Sequence, residues 1–251
     1  MPTQVFEQHH ILVNLNPEPH MVENWRNGEH RNFTFHKDEV VITPAGVSSG
    51  WQWHMRSKVI VITIDPIQLE RFALQEVGVI LEAQQLKDIP QQLDIDLSQA
   101  AELVLDALQK KVLGFEVLFE SLSRVFLVKL IGSYGNIKTT PQKANKGFNI
   151  NQYKKVFDFI GENFPESLTV TQMAKVAGVS RSHFSRLFKD VVGRTPMQFL
   201  QEYRLEQARK MLKKTQLSLS EIAISCGFSD QSHFSRLFKE SYGTSPNQDR
   251  K

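Results

Sequence analysis

His183-Phe184-Ser185-Arg186-Leu187-Phe188-Lys189 recurs letter for letter as His233-Phe234-Ser235-Arg236-Leu237-Phe238-Lys239, fifty residues further along the chain. The likeness extends outward on both sides. Met173-Ala174 and Gly178-Val179-Ser180 are answered by Ile222-Ala223 and Gly227-Phe228-Ser229, and Gly193-Arg194-Thr195-Pro196 by Gly243-Thr244-Ser245-Pro246. Two copies are too few to stack into a solenoid. One functional unit used twice is therefore expected.

Each copy spells helix, tight turn, helix. The first helices open with Thr169-Val170-Thr171-Gln172 and Ser218-Leu219-Ser220-Glu221. Both are capping boxes, in which a hydroxyl takes the N3 amide and the Gln or Glu reaches back. Gly178 and Gly227 stand where a helix end needs a left-handed residue, and Ser180 and Ser229 are placed to cap the second helices. Helical spacing turns Phe184, Leu187 and Phe188 inward, as it does Phe234, Leu237 and Phe238. The outward positions carry Arg181, Ser182, Ser185, Arg186 and Lys189, the layout of a helix that enters a DNA major groove. Between the copies, Thr195-Pro196 supplies a cap and an N1 proline for a helix running to about Lys214. At ~1.5 Å per residue this rod is ~28 Å long, near the ~34 Å between major grooves on one side of a duplex.

The charge distribution agrees. Residues 1–140 hold 12 basic and 17 acidic side chains, net −5, and residues 141–251 hold 18 and 10, net +8. A basic half joined to an acidic one suggests two domains, the second facing a polyanion. No apolar run approaches the ~20 residues that cross a bilayer, and the first residues lack a signal-peptide pattern. Cys226 is the only cysteine, so an internal disulfide is impossible. A cytoplasmic, nucleoid-associated location is expected, with no membrane partner.

Residues 9–64 read differently. His10–Leu15, Asn32–His36, Glu39–Thr43, Gly50–His54 and Val59–Ile64 are rich in Val, Ile, Phe, Trp and Thr between turn-formers. They predict a compact antiparallel sheet or barrel. Helices are expected over Pro66–Gln75, Ser98–Val112 and Phe115–Leu130. A polar, Gly- and Lys-rich stretch then predicts a linker. The expected division is a domain over 1–135, a linker over 136–150 and a helical domain over 151–251. The fold class is α+β: a small antiparallel β-barrel plus two helices, followed by an all-α domain.

The stretches Met173-Ala174, Phe184-Ser185-Arg186-Leu187-Phe188-Lys189, Arg204-Leu205, Glu221-Ile222-Ala223, Cys226-Gly227-Phe228-Ser229-Asp230 and Gly243 with Ser245-Pro246 resemble the DNA-binding domain of the AraC/XylS family of bacterial transcription regulators. The resemblance runs from about Asn151 to Arg250. It implies two helix-turn-helix units joined by a long helix, with double-stranded DNA as partner. Carried over by position, the DNA-contacting candidates are Arg181, Ser182, Ser185, Arg186 and Lys189 in the first unit. In the second they are Asp230, Gln231, Ser232, Ser235, Arg236 and Lys239. Asp249 stands where the family commonly has an aromatic, so a weakly anchored final helix is expected. The first half resembles, more loosely, the family's cupin-like sensor and dimerisation domain. That implies an effector-responsive activator with a small-molecule pocket, working with RNA polymerase.

Trp51 and Trp53 alternate on one strand and share a face. They either stack on an aromatic effector or fill the core. Six histidines lie in residues 1–54, but no His-x-His pair occurs, so no metal, cofactor or catalytic residue is expected. His30 and His36 are the two that could meet across a strand. A cupin-type enzyme tethered to DNA is the alternative reading. The missing ligand spacing and the lack of a phosphate loop or hydrolase elbow argue against it. Leu103, Leu108, Phe115, Leu118, Phe119, Leu122, Val125 and Phe126 occupy helical spacings wider than one small sheet can cover. A homodimer through residues 98–131 is expected.

Overall fold

The computed structural model describes residues 3–138 and 150–250. The chain divides into two compact units, Met1–Lys138 and Thr139–Lys251.

The first unit places two four-stranded antiparallel sheets face to face. One has the order β1-β6-β3-β4: Gln4–Val5, Ser48–Trp53, His20–Arg26 and Glu29–Phe35. The other runs β7-β2-β5-β9: Val59–Ile64, His9–Asn14, Glu39–Thr43 and Ile89–Leu93. Strands β2 and β5 are buried on both faces, which is why they read as continuous apolar runs. From these strands Leu12 and Val41 point to the other sheet, where Val22 and Phe35 meet them. Ile11, Val13, Val40 and Ile42 point the other way, into a core shared with α1 (Pro66–Phe72), α2 (Ile95–Lys110) and α3 (Phe115–Tyr134). The expected barrel thus takes the form of a sandwich with helices on one face.

Several boundaries differ from expectation. Strands β3, β9 and β8 (Leu81–Leu86) carry Glu, Asn and Gln at high density, which hid their alternation. Helix α1 passes into a π-helical turn over Ala73–Val77, ended by left-handed Gly78. The linker does not begin at residue 136. Residues Gly135–Ile137 form a tenth strand, β10, paired antiparallel with β8. Asn136 adds a side-chain bond to the Gln84 carbonyl, so a polar, Gly-bearing segment is held by backbone pairing rather than by an apolar face. Residues 139–149 of the expected linker lie outside the described residues.

The second unit is all helical: α4 (Ile150–Asn163), α5 (Val170–Ala177), α6 (Arg181–Val192), α7 (Pro196–Lys214), α8 (Leu219–Ser225), α9 (Gln231–Tyr242) and α10 (Pro246–Asp249). The capping boxes at Thr169 and Ser218 form as expected, and a third caps α7 at Thr195. Helix α7 serves both halves. Near its start Phe199 packs on Phe157 at 4.6 Å and Phe188 at 5.7 Å between ring centroids. Further on, Leu205, Ala208 and Leu212 join Ile222, Phe234 and Phe238 in a second cluster.

Arg204, midway along α7, donates from Nε to the Phe164 carbonyl at 2.7 Å and from Nη2 to the Glu166 carbonyl at 2.6 Å. This arrangement leaves no room beside Gly227. A Cβ there would lie 2.6 Å from the Pro165 carbonyl oxygen and 2.9 Å from the Arg204 guanidinium. Gly178, at the same place in the first helix-turn-helix repeat, is also left-handed (φ 71°) but has nothing within 4 Å of a Cβ. Gly178→Ala is expected to cost only the left-handed strain, about 1–2 kcal/mol. Gly227→Ala is expected to cost clearly more, because Pro165 or Arg204 must also move. Urea unfolding of the two variants checks the order, and equal losses would contradict it.

Candidate nucleic-acid interface

Helices α6 and α9 are the second helices of the two helix-turn-helix repeats, and their burial patterns match position by position over the first ten residues. Phe184, Leu187 and Phe188 are buried in α6, and Phe234, Leu237 and Phe238 in α9. Buried rings fix each helix about its own axis, so the remaining positions face solvent as a consequence. Arg181, Ser182, Arg186 and Lys189 are exposed on α6, as are Gln231, Ser232, Arg236 and Lys239 on α9. Ser185 and Ser235 are half-buried at the edge of the same face.

The candidates are not equally free to make new contacts. The Ser185 hydroxyl donates to the Arg181 carbonyl one turn back at 3.0 Å, which occupies its proton within the helix. Arg186 lies 3.2 Å from His183 Nδ1, and Arg236 pairs loosely with Glu240 at 3.6 Å. Both guanidiniums stand in water, where such contacts are weak and readily exchanged.

Asp230 has a different role from its neighbours. It is the N-cap of α9, accepting from the His233 amide at 2.8 Å, and the Ser229 hydroxyl donates to its other oxygen at 3.0 Å. The His233 amide and then the Ser229 hydroxyl hold its carboxyl below the usual range. Ser229 therefore does not cap α9, as expected from its alignment with Ser180. The second turn is one residue longer: five positions separate Gly178 from His183, but six separate Gly227 from His233. The added residue is Ser229; before it Phe228, in the place of half-buried Val179, is buried and packs 5.2 Å from Phe234. Ser180 caps α6 as expected.

The final helix is firmly held, contrary to the weak anchoring expected from Asp249. That carboxylate accepts from Arg209 Nε at 3.0 Å and Nη2 at 2.8 Å. The Arg209 guanidinium also lies 4.4 Å over the Tyr242 ring, and Arg250 donates to the Leu217 carbonyl at 2.6 Å. An ion pair replaces the aromatic contact. Cys226 is buried, and burial pushes its thiol up to about 11, so it is inert packing.

In the first unit, Trp51 and Trp53 stack at 5.4 Å and 16° on the inner face of their sheet. They line a cavity of about 460 Å³ between the two sheets, opposite Leu12, Val59 and Val61. Thr43, Ser49, Ser57 and His10 give this cavity its polar points, and burial pushes the His10 imidazole below its ordinary value. Sequence reading singled out the two tryptophans but not the lining from the opposite sheet, because strand pairing brings it there. His30 does not meet His36. It bonds Glu23 at 2.7 Å, as does His54, and His36 lies near Glu39. No cluster of three or more metal-ligating side chains occurs among the described residues.

Two all-helical hairpins in tandem, each with a polar outward second helix, define a double helix-turn-helix protein. The helix-turn-helix domain family matches residues 173–251. The chain is 32% identical to a transcriptional regulator with an AraC-type DNA-binding domain from Chromobacterium violaceum, covering 40% of this chain and 89% of that one, with a TM-score of 0.39. It is 43% identical over 67 residues to the HTH-type transcriptional regulator ArgR of Pseudomonas aeruginosa, covering 27% of this chain and 20% of that protein. The chain spans between about a fifth and a third of the length of the first curated relatives it matches. Across 98% of its length and 90% of the other chain, its fold is similar to ToxT from Vibrio cholerae, with a TM-score of 0.54 and 13% identity. Through its C-terminal domain the chain belongs to the AraC/XylS family of transcription regulators.

Proposed function

We propose that this protein is a sequence-specific DNA-binding regulator that reads two adjacent major-groove segments, one with α6 and one with α9. The observation that carries the reading is the matched burial of the two helices, which leaves an arginine and a lysine outward on each. Arg181, Ser182, Arg186, Gln231, Ser232, Ser235 and Arg236 are the base-reading candidates. Lys189 and Lys239, in the last turns, suit phosphates. Ser185 contributes less because its proton is already used. Asp230 acts through the cap, setting where α9 begins. Arg236→Ala is expected to cost ~1–3 kcal/mol and relax preference at particular bases, the worth of a bidentate base contact. Arg186→Ala acts on a second base cluster, and Lys213→Ala, beyond the recognition helices, changes affinity much less. Binding titrations on a selected site and its point variants check this. Equal, sequence-independent losses for all three would contradict it.

The regulator acts as a homodimer. Leu103, Leu108, Val117, Leu118 and Val125 are 41–71% exposed on α2 and α3, apolar side chains that a partner face would cover. Phe126, expected in this stripe, is buried against the sheet and belongs to the core. A second copy of the same face is the simplest cover, since two-fold pairing is self-complementary. Leu118→Glu is expected to convert dimer to monomer in sedimentation at tens of micromolar while leaving the fold intact by circular dichroism. A wild-type protein that sediments as a monomer would contradict the proposal.

Its direction of regulation is activation, with RNA polymerase as the partner of the DNA-bound protein, in response to a small molecule in the sandwich cavity. The cavity's concavity, aromatic walls and few polar points suit a ligand site. Val61→Trp fills it from a lining position that is half exposed, so the fold tolerates the change. The variant is expected to hold a promoter reporter at one level across growth media in which the wild type varies. A reporter that still varies like the wild type would contradict the effector reading.

A further inference from the structure

Two hydroxyls at the polar end of the sandwich cavity have protons to give. Thr43 and Ser49 line the cavity from facing sheets and are 3% and 2% exposed. Arg26, on β3 and outside the lining, donates from Nη2 to Thr43 Oγ1 at 2.8 Å, and the same nitrogen reaches the Ile42 carbonyl and Asp88. A guanidinium has no acceptor, so Thr43 Oγ1 accepts in this bond. Asn24, also on β3, donates from Nδ2 to Ser49 Oγ at 3.2 Å and to the Gly50 carbonyl at 2.9 Å. The carbonyl can only accept, which fixes the amide's orientation and makes Ser49 Oγ an acceptor too. Ser49 stands opposite Arg26 in the pairing of β3 with β6, so the two hydroxyls share one end of the cavity. Neither donates to an acceptor among the described residues.

The other two polar lining groups differ. Ser57 Oγ lies 3.0 Å from His20 Nε2 and 3.3 Å from the Met55 carbonyl, so its proton is already placed. His10 stacks on Phe6 with ring centroids 3.9 Å apart, and burial holds its imidazole in the neutral form. Among the described residues, no Asp, Glu, Lys or Arg lines the cavity. A buried hydroxyl proton without an acceptor costs free energy, and a buried charge without a countercharge costs more. The first favours a ligand with lone pairs at this end. The second disfavours a carboxylate or an ammonium. Along the rest of the wall Trp51 and Trp53 face Leu12, Val59 and Val61, which suits a flat apolar body.

We propose that the cavity takes an uncharged aromatic molecule bearing a carbonyl, its ring system against Trp51 and Trp53 and its carbonyl oxygen accepting from Thr43 and Ser49. The assignment rests on the effector reading above and deepens it by naming the ligand's chemistry. A carbonyl oxygen offers two lone pairs, one for each hydroxyl. A phenol would bring a proton of its own to an end whose hydroxyls already serve as acceptors.

Equilibrium dialysis of the full-length protein tests this with three probes of one ring system: 2-acetylnaphthalene, 2-ethylnaphthalene and 2-naphthoate. The first two differ by a carbonyl in place of a methylene, and the first and third by a charge. 2-Acetylnaphthalene is expected to bind tighter than 2-ethylnaphthalene by about threefold or more, and tighter than 2-naphthoate by about tenfold or more. Ser49→Ala removes most of the ketone's advantage over the ethyl probe, and Trp51→Leu weakens both alike. The wild-type order stands as a test even if Ser49→Ala does not fold. 2-Ethylnaphthalene binding as tightly as the ketone overturns the carbonyl assignment, and 2-naphthoate binding tightest overturns the uncharged one. No binding of any probe, with the Val61→Trp reporter still locked, overturns the ligand class and leaves the effector reading intact. A reporter that does not respond to Val61→Trp counts against that reading itself.

Discussion

The burial of three side chains on each recognition helix is the constraint on which the rest of this molecule depends. Phe184, Leu187 and Phe188 can enter the core of the first helix-turn-helix repeat in one rotational setting of α6, and Phe234, Leu237 and Phe238 do the same for α9. An amphipathic helix with one apolar stripe has one way to bury it. Each large apolar side chain so buried contributes about 1.5–3 kcal/mol, and together they outweigh any preference of the outward residues. The polar face is thus presented by default, and its residues are free to vary in chemistry without changing the fold. Helix α7 extends the constraint, because its Phe199 end and its Leu205–Leu212 stretch belong to the two different cores.

The two units are copies in their packing but not in their turns. The first closes with Ser180 as cap; the second inserts a residue, buries Phe228 and caps with a carboxylate. Gly227 has become sterically obligatory beside Pro165 and Arg204, whereas Gly178 has open space. A negative charge at the start of α9 suits the positive end of a helix, and it also limits how closely a phosphate can approach there. The two helices are therefore equivalent as scaffolds and differ in charge at their N-terminal ends.

How much of this was legible in the sequence follows from what each element is made of. The helical unit was readable because its signals are local: capping boxes, a left-handed glycine and period-3.6 apolar positions all fall within a few residues. The Ser229 cap was misread because letter alignment hid a one-residue insertion. The Asp249 anchor was missed because Arg209 is distant in sequence. In the sandwich, β2, β5 and β7 announced themselves by their Val and Ile content. Strands β3 and β8 did not, since their Glu, Asn and Gln residues satisfy edges, solvent faces or the buried polar end. Arg26 could not be singled out from sequence, because its partners Thr43 and Asp88 come from other strands and turns.

Helices α6 and α9, carried on the one connector α7, are proposed to read neighbouring grooves of one duplex. A hydroxyl-radical footprint of the protein on a site obtained by selection from random DNA tests it most directly. Two protected clusters are expected on the same face of the duplex, their centres about one helical turn apart, ~10 base pairs. A single protected cluster, or two clusters on opposite faces, would contradict it.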